Sequence, residues 1–153
     1  MSVVKIEQPT AASLKFIADN MRREDAVEVM ASHGYTPHQA LEVSVKNSSL
    51  MAVIVIDGIP VTALGLVKRC PLTGLGVPWL LSAEQALNHK RKFLELSPPV
   101  IEDMLDICPK LVNYVHAENR TSIRWLRWLG FKIDEPTPIG IRGEMFHRFH
   151  KER

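Results

Sequence analysis

The chain has 153 residues, 46% of them hydrophobic and 24% charged, with a formal net charge of +2. These totals describe one globular domain, residues 1–153, with room for a substantial core, and they give no bulk electrostatic case for nucleic acid. No apolar run is long enough to span a bilayer, and MSVVKIEQPT lacks the basic-then-apolar order of a secretory leader, so neither a membrane span nor secretion is expected. Cys70 and Cys108 stand far apart and in no ligand spacing. They read as buried free thiols of a reducing compartment, and no metal is expected.

Ser2 to Glu7 alternates Val4 and Ile6 with Lys5 and Glu7, the period of a short strand. Thr10 caps a helix running to about Asn20, with Leu14, Ile17 and Met21 on one face. Arg22 to Ser32 forms a second helix with Ala26, Val29 and Met30 inward, ended by Gly34. Thr36-Pro37 starts a third, threonine as cap and proline in the first turn. Leu50 to Ile56 is a continuous β-branched run, a strand buried on both faces. Asp57-Gly58 turns it back into Ile59 to Val67 as a hairpin.

Pro71 to Val77 reads as a loop, and Pro78 to Leu81 as a short strand that proline opens. A polar helical stretch begins at Ser82-Ala83-Glu84. Ser97-Pro98-Pro99 interrupts it, and a new helix carries Val100, Ile101, Met104, Leu105 and Cys108 until Pro109. Leu111 to Val115 is a strand, parallel to the Trp79 strand through the crossover between them. The stretch HAENRTSIRWLRWLGF follows. Asn119 is a good N-cap and Gly130 suits the residue past a helix end. Arg120, Arg124 and Arg127 share one face, and Ser122, Trp125, Leu126 and Leu129 another. Taken alone this is an amphipathic helix that packs on a sheet and shows its arginines to water. Phe131 to Ile133 and Glu144 to His150 close the chain as a pair of strands.

The spacing from Asn119 through Ser122 and Trp125 to Gly130-Phe131 resembles the last conserved helix of the GNAT acyltransferases, and the hairpin MAVIVIDGIPVTALGL resembles that family's second and third strands. The blocks WLLSAEQ, HKRKF, LVNYV and ENRTSIRWLRWLGF resemble, more narrowly, a small GNAT-like internal virion protein family of short-tailed phages. The resemblance implies an α/β GNAT-like acyl-CoA N-acyltransferase fold: a mixed central sheet splayed between two parallel strands that end near Leu81 and Val115. It also implies acetyl-CoA or CoA as cofactor, with the pantetheine arm in the splay. Leu81, Ser82, Asn88, His89, Lys90, Arg91 and Lys92 on one side, and Asn119, Ser122 and Arg124 on the other, would grip it. The acceptor would be an amine on a small molecule or protein, and the setting the host cytoplasm or the virion interior, with a virion or host protein as a further partner.

Two departures stand against catalysis. The family holds the cofactor pyrophosphate on a glycine-rich loop at the start of its central helix, where close backbone approach and free amides favour an anion. Here Gln85-Ala86-Leu87-Asn88-His89-Lys90-Arg91-Lys92 contains no glycine, and only the cations offer a substitute. A solvated basic helix face explains the same residues. The position of the family's general-acid tyrosine is Leu126, which holds no proton to give. Glu84 and His116, at the ends of the two parallel strands, are the candidate catalytic groups. Trp79, Trp125 and Trp128 are candidates to line the acyl groove, with core packing the competing role. The alternative function is a non-catalytic virion, assembly or host-interaction protein that keeps the fold.

Overall fold

The computed structural model describes residues 2–153. Five α-helices flank an eight-stranded sheet with the order β1-β2-β3-β4-β5-β8-β6, and β7 pairs with β8 off that path. The strands are β1 (Val4–Glu7), β2 (Leu50–Ile56), β3 (Ile59–Cys70), β4 (Leu75–Ser82), β5 (Lys110–His116), β6 (Lys132–Ile133), β7 (Thr137–Pro138) and β8 (Met145–Glu152). The helices are α1 (Ala11–Asp19), α2 (Arg23–His33), α3 (Pro37–Asn47), α4 (Lys90–Ile107) and α5 (Arg120–Trp128). All pairs are antiparallel except β4·β5, which is parallel and joined through α4. The sheet is the mixed one expected.

Local chemistry sets most of these boundaries. Thr10 and Thr36 each close a capping box, with Ser13 and Gln39, so both helices begin with their first amides satisfied. Asp57 and Gly58 both take positive φ, 51° and 79°, the turn that matches strand twist in a two-residue hairpin. The sheet buries both faces. Ile54, Leu64, Leu66, Leu111 and Val115 meet α4 and α5, while Val53, Val55, Ala63 and Leu81 meet α1 and α3. Each fully buried aliphatic side chain contributes roughly 1.5–3 kcal/mol.

Four expectations need correction. α4 is one helix through Ser97-Pro98-Pro99 rather than two. The prolines and the residues one turn before them, Leu94 and Glu95, are exposed, so the freed carbonyls face water, and the Ser97 hydroxyl takes the Phe93 carbonyl. Strand β4 begins at Leu75 and holds Pro78 inside it. Its ladder with β5 has already ended at Gly76, so the missing N–H lies on an open side. Cys108 is buried but Cys70 is only partly so; both are free thiols. Finally, Met30 is 47% exposed, and the buried side of α2 carries Asp25 and Ala31. That inversion builds the site.

Candidate active site

β4 and β5 pair only at Leu75–Lys110 and Gly76–Leu111, then diverge. Past that point Asn113 spans the gap, its Nδ2 donating to the Pro78 carbonyl at 2.7 Å. A strand residue directs its N–H and C=O to the same side, and every second residue repeats the direction. Ser82 therefore faces the gap as Pro78 does. Its carbonyl accepts from the Arg22 amide at 2.8 Å, and its amide donates to Asp25 Oδ2 at 2.9 Å. Leu80 lies between them with the same parity. Among the described residues its N–H and C=O have no partner, so an open peptide group lines the splay.

α2 crosses the ends of both strands with a polar stripe at i, i+3 and i+6: Arg22, Asp25 and Glu28. The buried Arg22 guanidinium donates to Asp25 Oδ1 at 2.8 Å, to Ser122 Oγ at 3.1 Å and to Asn119 Oδ1 at 3.4 Å. Burial pushes the Asp25 carboxyl up from its ordinary range, against the pull of Arg22. Glu28 Oε1 accepts from the His116 amide at 2.7 Å and from Asn119 Nδ2 at 3.4 Å. Its Oε2 has no hydrogen bond among the described residues. Loss of water raises the Glu28 carboxyl from 4.5 to about 7, since Arg22 is engaged with Asp25 and the two hydrogen bonds only partly offset burial.

A cavity of about 1000 Å³ lies at the splay and is lined by residues from both faces of the sheet. On the α4/α5 face it is lined by Leu80, Phe93, Met104, Asn113 and Trp125. On the α2/α3 face it is lined by Glu28, Val29, Tyr35, Val43 and Trp79. The Trp125 indole N–H is buried with no partner, an orphan donor at the wall of this space. The cavity thus brings the raised Glu28 carboxyl and the open Leu80 peptide group to one space.

No protein-family model and no curated protein matches the sequence. Solved structures do match. An N-acetyltransferase from Staphylococcus aureus superposes with a TM-score of 0.72 at 15% identity, covering 98% of each chain. The spermidine N-acetyltransferase of Vibrio cholerae, in complex with CoA and spermine, superposes at 0.73 and 14% identity, over 97% of this chain and 95% of that one. A GNAT superfamily phosphinothricin acetyltransferase from Sinorhizobium meliloti, in complex with acetyl-CoA, gives 0.68 and 15% over 97% and 88%. The fold is that of the GNAT N-acetyltransferases.

Within this GNAT fold the residues singled out from sequence fall in different places. Ser82, Asn119 and Ser122 come together with Arg22, and His116 joins them through Glu28. Asn119 caps α5 by accepting from the Ser122 amide. The His116 ring takes the Glu118 amide on Nδ1 at 3.2 Å and packs edge-on against Phe146; it does not line the cavity. Leu81 is buried and lines the α2/α3 side. Asn88, Lys90, Arg91 and Arg124 are exposed, while His89 and Lys92 are half-buried, Lys92 within 3.4 Å of Glu95. None of these basic residues lines the cavity. Glu84 is exposed outside the cavity, and its amide donates to the Asn20 carbonyl. A 3-10 turn, Glu84–His89, stands where the family has its glycine-rich loop. Trp79 and Trp125 line the cavity, and Trp128 is 55% exposed.

Arg22, Asp25 and Glu28 were not singled out from sequence. The signal was there: Arg22-x-x-Asp25-x-x-Glu28 puts three charged groups on one helical face, with Val27 and Met30 outside it. Assigning the apolar residues inward hid it.

Proposed function

We propose that this chain is an acyl-CoA-dependent N-acyltransferase that moves an acetyl group to an amine, with Glu28 as general base. The observation that carries the reading is the cavity at the β4/β5 splay with Glu28 in its lining. The residues fit a CoA-type cofactor in part. The Leu80 peptide group and the Asn113 and Trp125 side chains offer hydrogen bonds to a pantetheine arm, and Lys90, Arg91, Lys92 and Arg124 offer charge to its phosphates. Bound there, the cofactor supplies an acyl thioester. Once Glu28 has taken one proton from the ammonium, the amine nitrogen would bond to the acyl carbon as the C–S bond breaks, and the second proton lost by nitrogen would balance the departing CoA thiolate as a thiol.

An amine arrives as an ammonium and is unreactive until it loses a proton. Glu28 is suited to take that proton. Its Oε1 is pinned by His116 N–H and Asn119, its Oε2 is open, and a carboxyl near 7 is half ionised at neutral pH. The role left to His116 is positional: its amide aims Glu28. Glu84 is the other carboxyl near the end of β4, and Glu84→Gln separates its contribution from that of Glu28. The test is the pH profile of CoA release. kcat/KM should rise through about pH 7 in the wild type and lose that limb in Glu28→Gln. A profile unchanged by Glu28→Gln contradicts the assignment.

The KRKF and NYV blocks support a phage setting, in the host cytoplasm or the virion interior. A second reading has its own support. The 3-10 turn in place of the glycine loop, and Leu126 buried in the core at the family's acid position, favour a non-catalytic virion or host-interaction protein. Cofactor binding without turnover on amines would select it.

A further inference from the structure

We infer that the acceptor is a primary amine bearing one positive charge on an apolar, aromatic body, an arylalkylamine in chemical class, seated on the α2/α3 face of the splay with its nitrogen at Glu28. This rests on the acyl-transfer reading above and specifies its substrate. Strand alternation sends Val77, Trp79 and Leu81 to that face, where Trp79 and Leu81 belong to the α1/α3 core. The chamber is walled by Val29, Val43, Trp79, Ile139 and Phe146. At its rim His33 stacks on Tyr35, ring centroids 5.4 Å apart and planes within 8°, a flat surface that suits another ring.

The charges on this face decide the class. Asp25 and Glu28 are the acidic residues lining the cavity, and Asp25 is engaged by Arg22 at 2.8 Å and by the Ser82 amide. One carboxylate therefore remains for one ammonium. A second ammonium on the same molecule would find no free carboxylate, only neutral groups such as Ser32, Ser44 and Asn47 among apolar walls, and a charge without a counter-charge is disfavoured there. Farther along the groove, beside Leu75 and roughly 20 Å of strand from Ser82, the lining residue is Arg69, which repels it. A polyamine does not match this surface; an aromatic monoamine does.

The experiment measures acetylation with acetyl-CoA, read as CoA thiol release, on 2-phenylethylamine, tryptamine, putrescine and spermidine. The expected kcat/KM is at least about tenfold higher for the aromatic monoamines than for spermidine, a difference of about 1.4 kcal/mol. Ile139→Asp adds a carboxylate at an exposed wall position, 42% exposed, so folding is not at risk. It should lower the rate on 2-phenylethylamine and raise that on spermidine. Calorimetry with CoA alone runs in parallel. If CoA binds and spermidine is used as well as the aromatic amines, or no amine is used, the inference is overturned. If CoA gives no heat, the acyl-transfer reading itself fails. Ligand-observed NMR of 2-phenylethylamine, abolished by Glu28→Gln, would then still support the amine site, and its absence would overturn that too.

Discussion

α5 and α2 meet at one buried cluster and are built in opposite ways. α5 turns Ile123 and Leu126 into the core and its arginines outward, so hydrophobic burial holds it in place. α2 turns Arg22, Asp25 and Glu28 inward and leaves Val27 and Met30 at 46% and 47% exposure. Burying charges costs free energy that packed hydrocarbon would not, so α2 is the less stable solution to covering the strand ends. The two helices separate what holds the fold from what performs chemistry. Substitutions on α5 should act through stability alone, and loss of the Glu28 carboxyl on α2 through activity and pH.

The largest expected effect is on α2. Glu28→Gln keeps a side-chain oxygen for the His116 and Asn119 bonds but cannot take a proton, so kcat/KM should fall about 100- to 1000-fold. Its stability should move the other way. Folding raises the Glu28 carboxyl from 4.5 to about 7, so the folded state holds a proton the unfolded state has lost in that window. Stability therefore falls as pH rises from 4.5 to 7, and Glu28→Gln should be more stable than wild type above pH 7 by roughly 1–3 kcal/mol. Denaturant melts at pH 4 and pH 8 read this directly, with the difference absent at the lower pH.

Next comes Arg22→Met, which strands Asp25 without its partner and should cost about 3–5 kcal/mol at neutral pH. Adding Asp25→Leu should recover much of that loss, and a double-mutant cycle in urea measures the coupling. On α5, Leu126→Ala should cost about 2–5 kcal/mol through the cavity it leaves, with no change in the activity pH profile once the protein is folded. Smallest of all, Val27→Gln on the outer face of α2 should change stability by less than about 0.5 kcal/mol. A large loss there would mean the apolar face of α2 is covered in solution.

What the sequence exposes follows the same division. The caps at Thr10, Thr36 and Asn119, the Asp57-Gly58 turn and the Gly130 stop were legible, because each is local chemistry between near neighbours. So was the parallel pair, since its crossover leaves a strand-helix-strand order. The continuity of α4 through two prolines was not, because it depends on which carbonyls face water. The Arg22, Asp25 and Glu28 stripe was not, because its partners Ser82, His116 and Ser122 lie 57 to 100 residues away. Asn119 and Ser122 stand at the cluster, but in this structure they hold α2 through Arg22.

The central claim is that the β4/β5 splay holds an acyl-CoA. Calorimetric titration of acetyl-CoA into the full chain, beside Asn113→Trp, whose ring would fill the gap next to Pro78, tests it most directly. Saturable binding to the wild type that Asn113→Trp abolishes, with both proteins folded by circular dichroism, is the predicted result. No heat from the wild type at millimolar cofactor, or equal binding by both proteins, would contradict it.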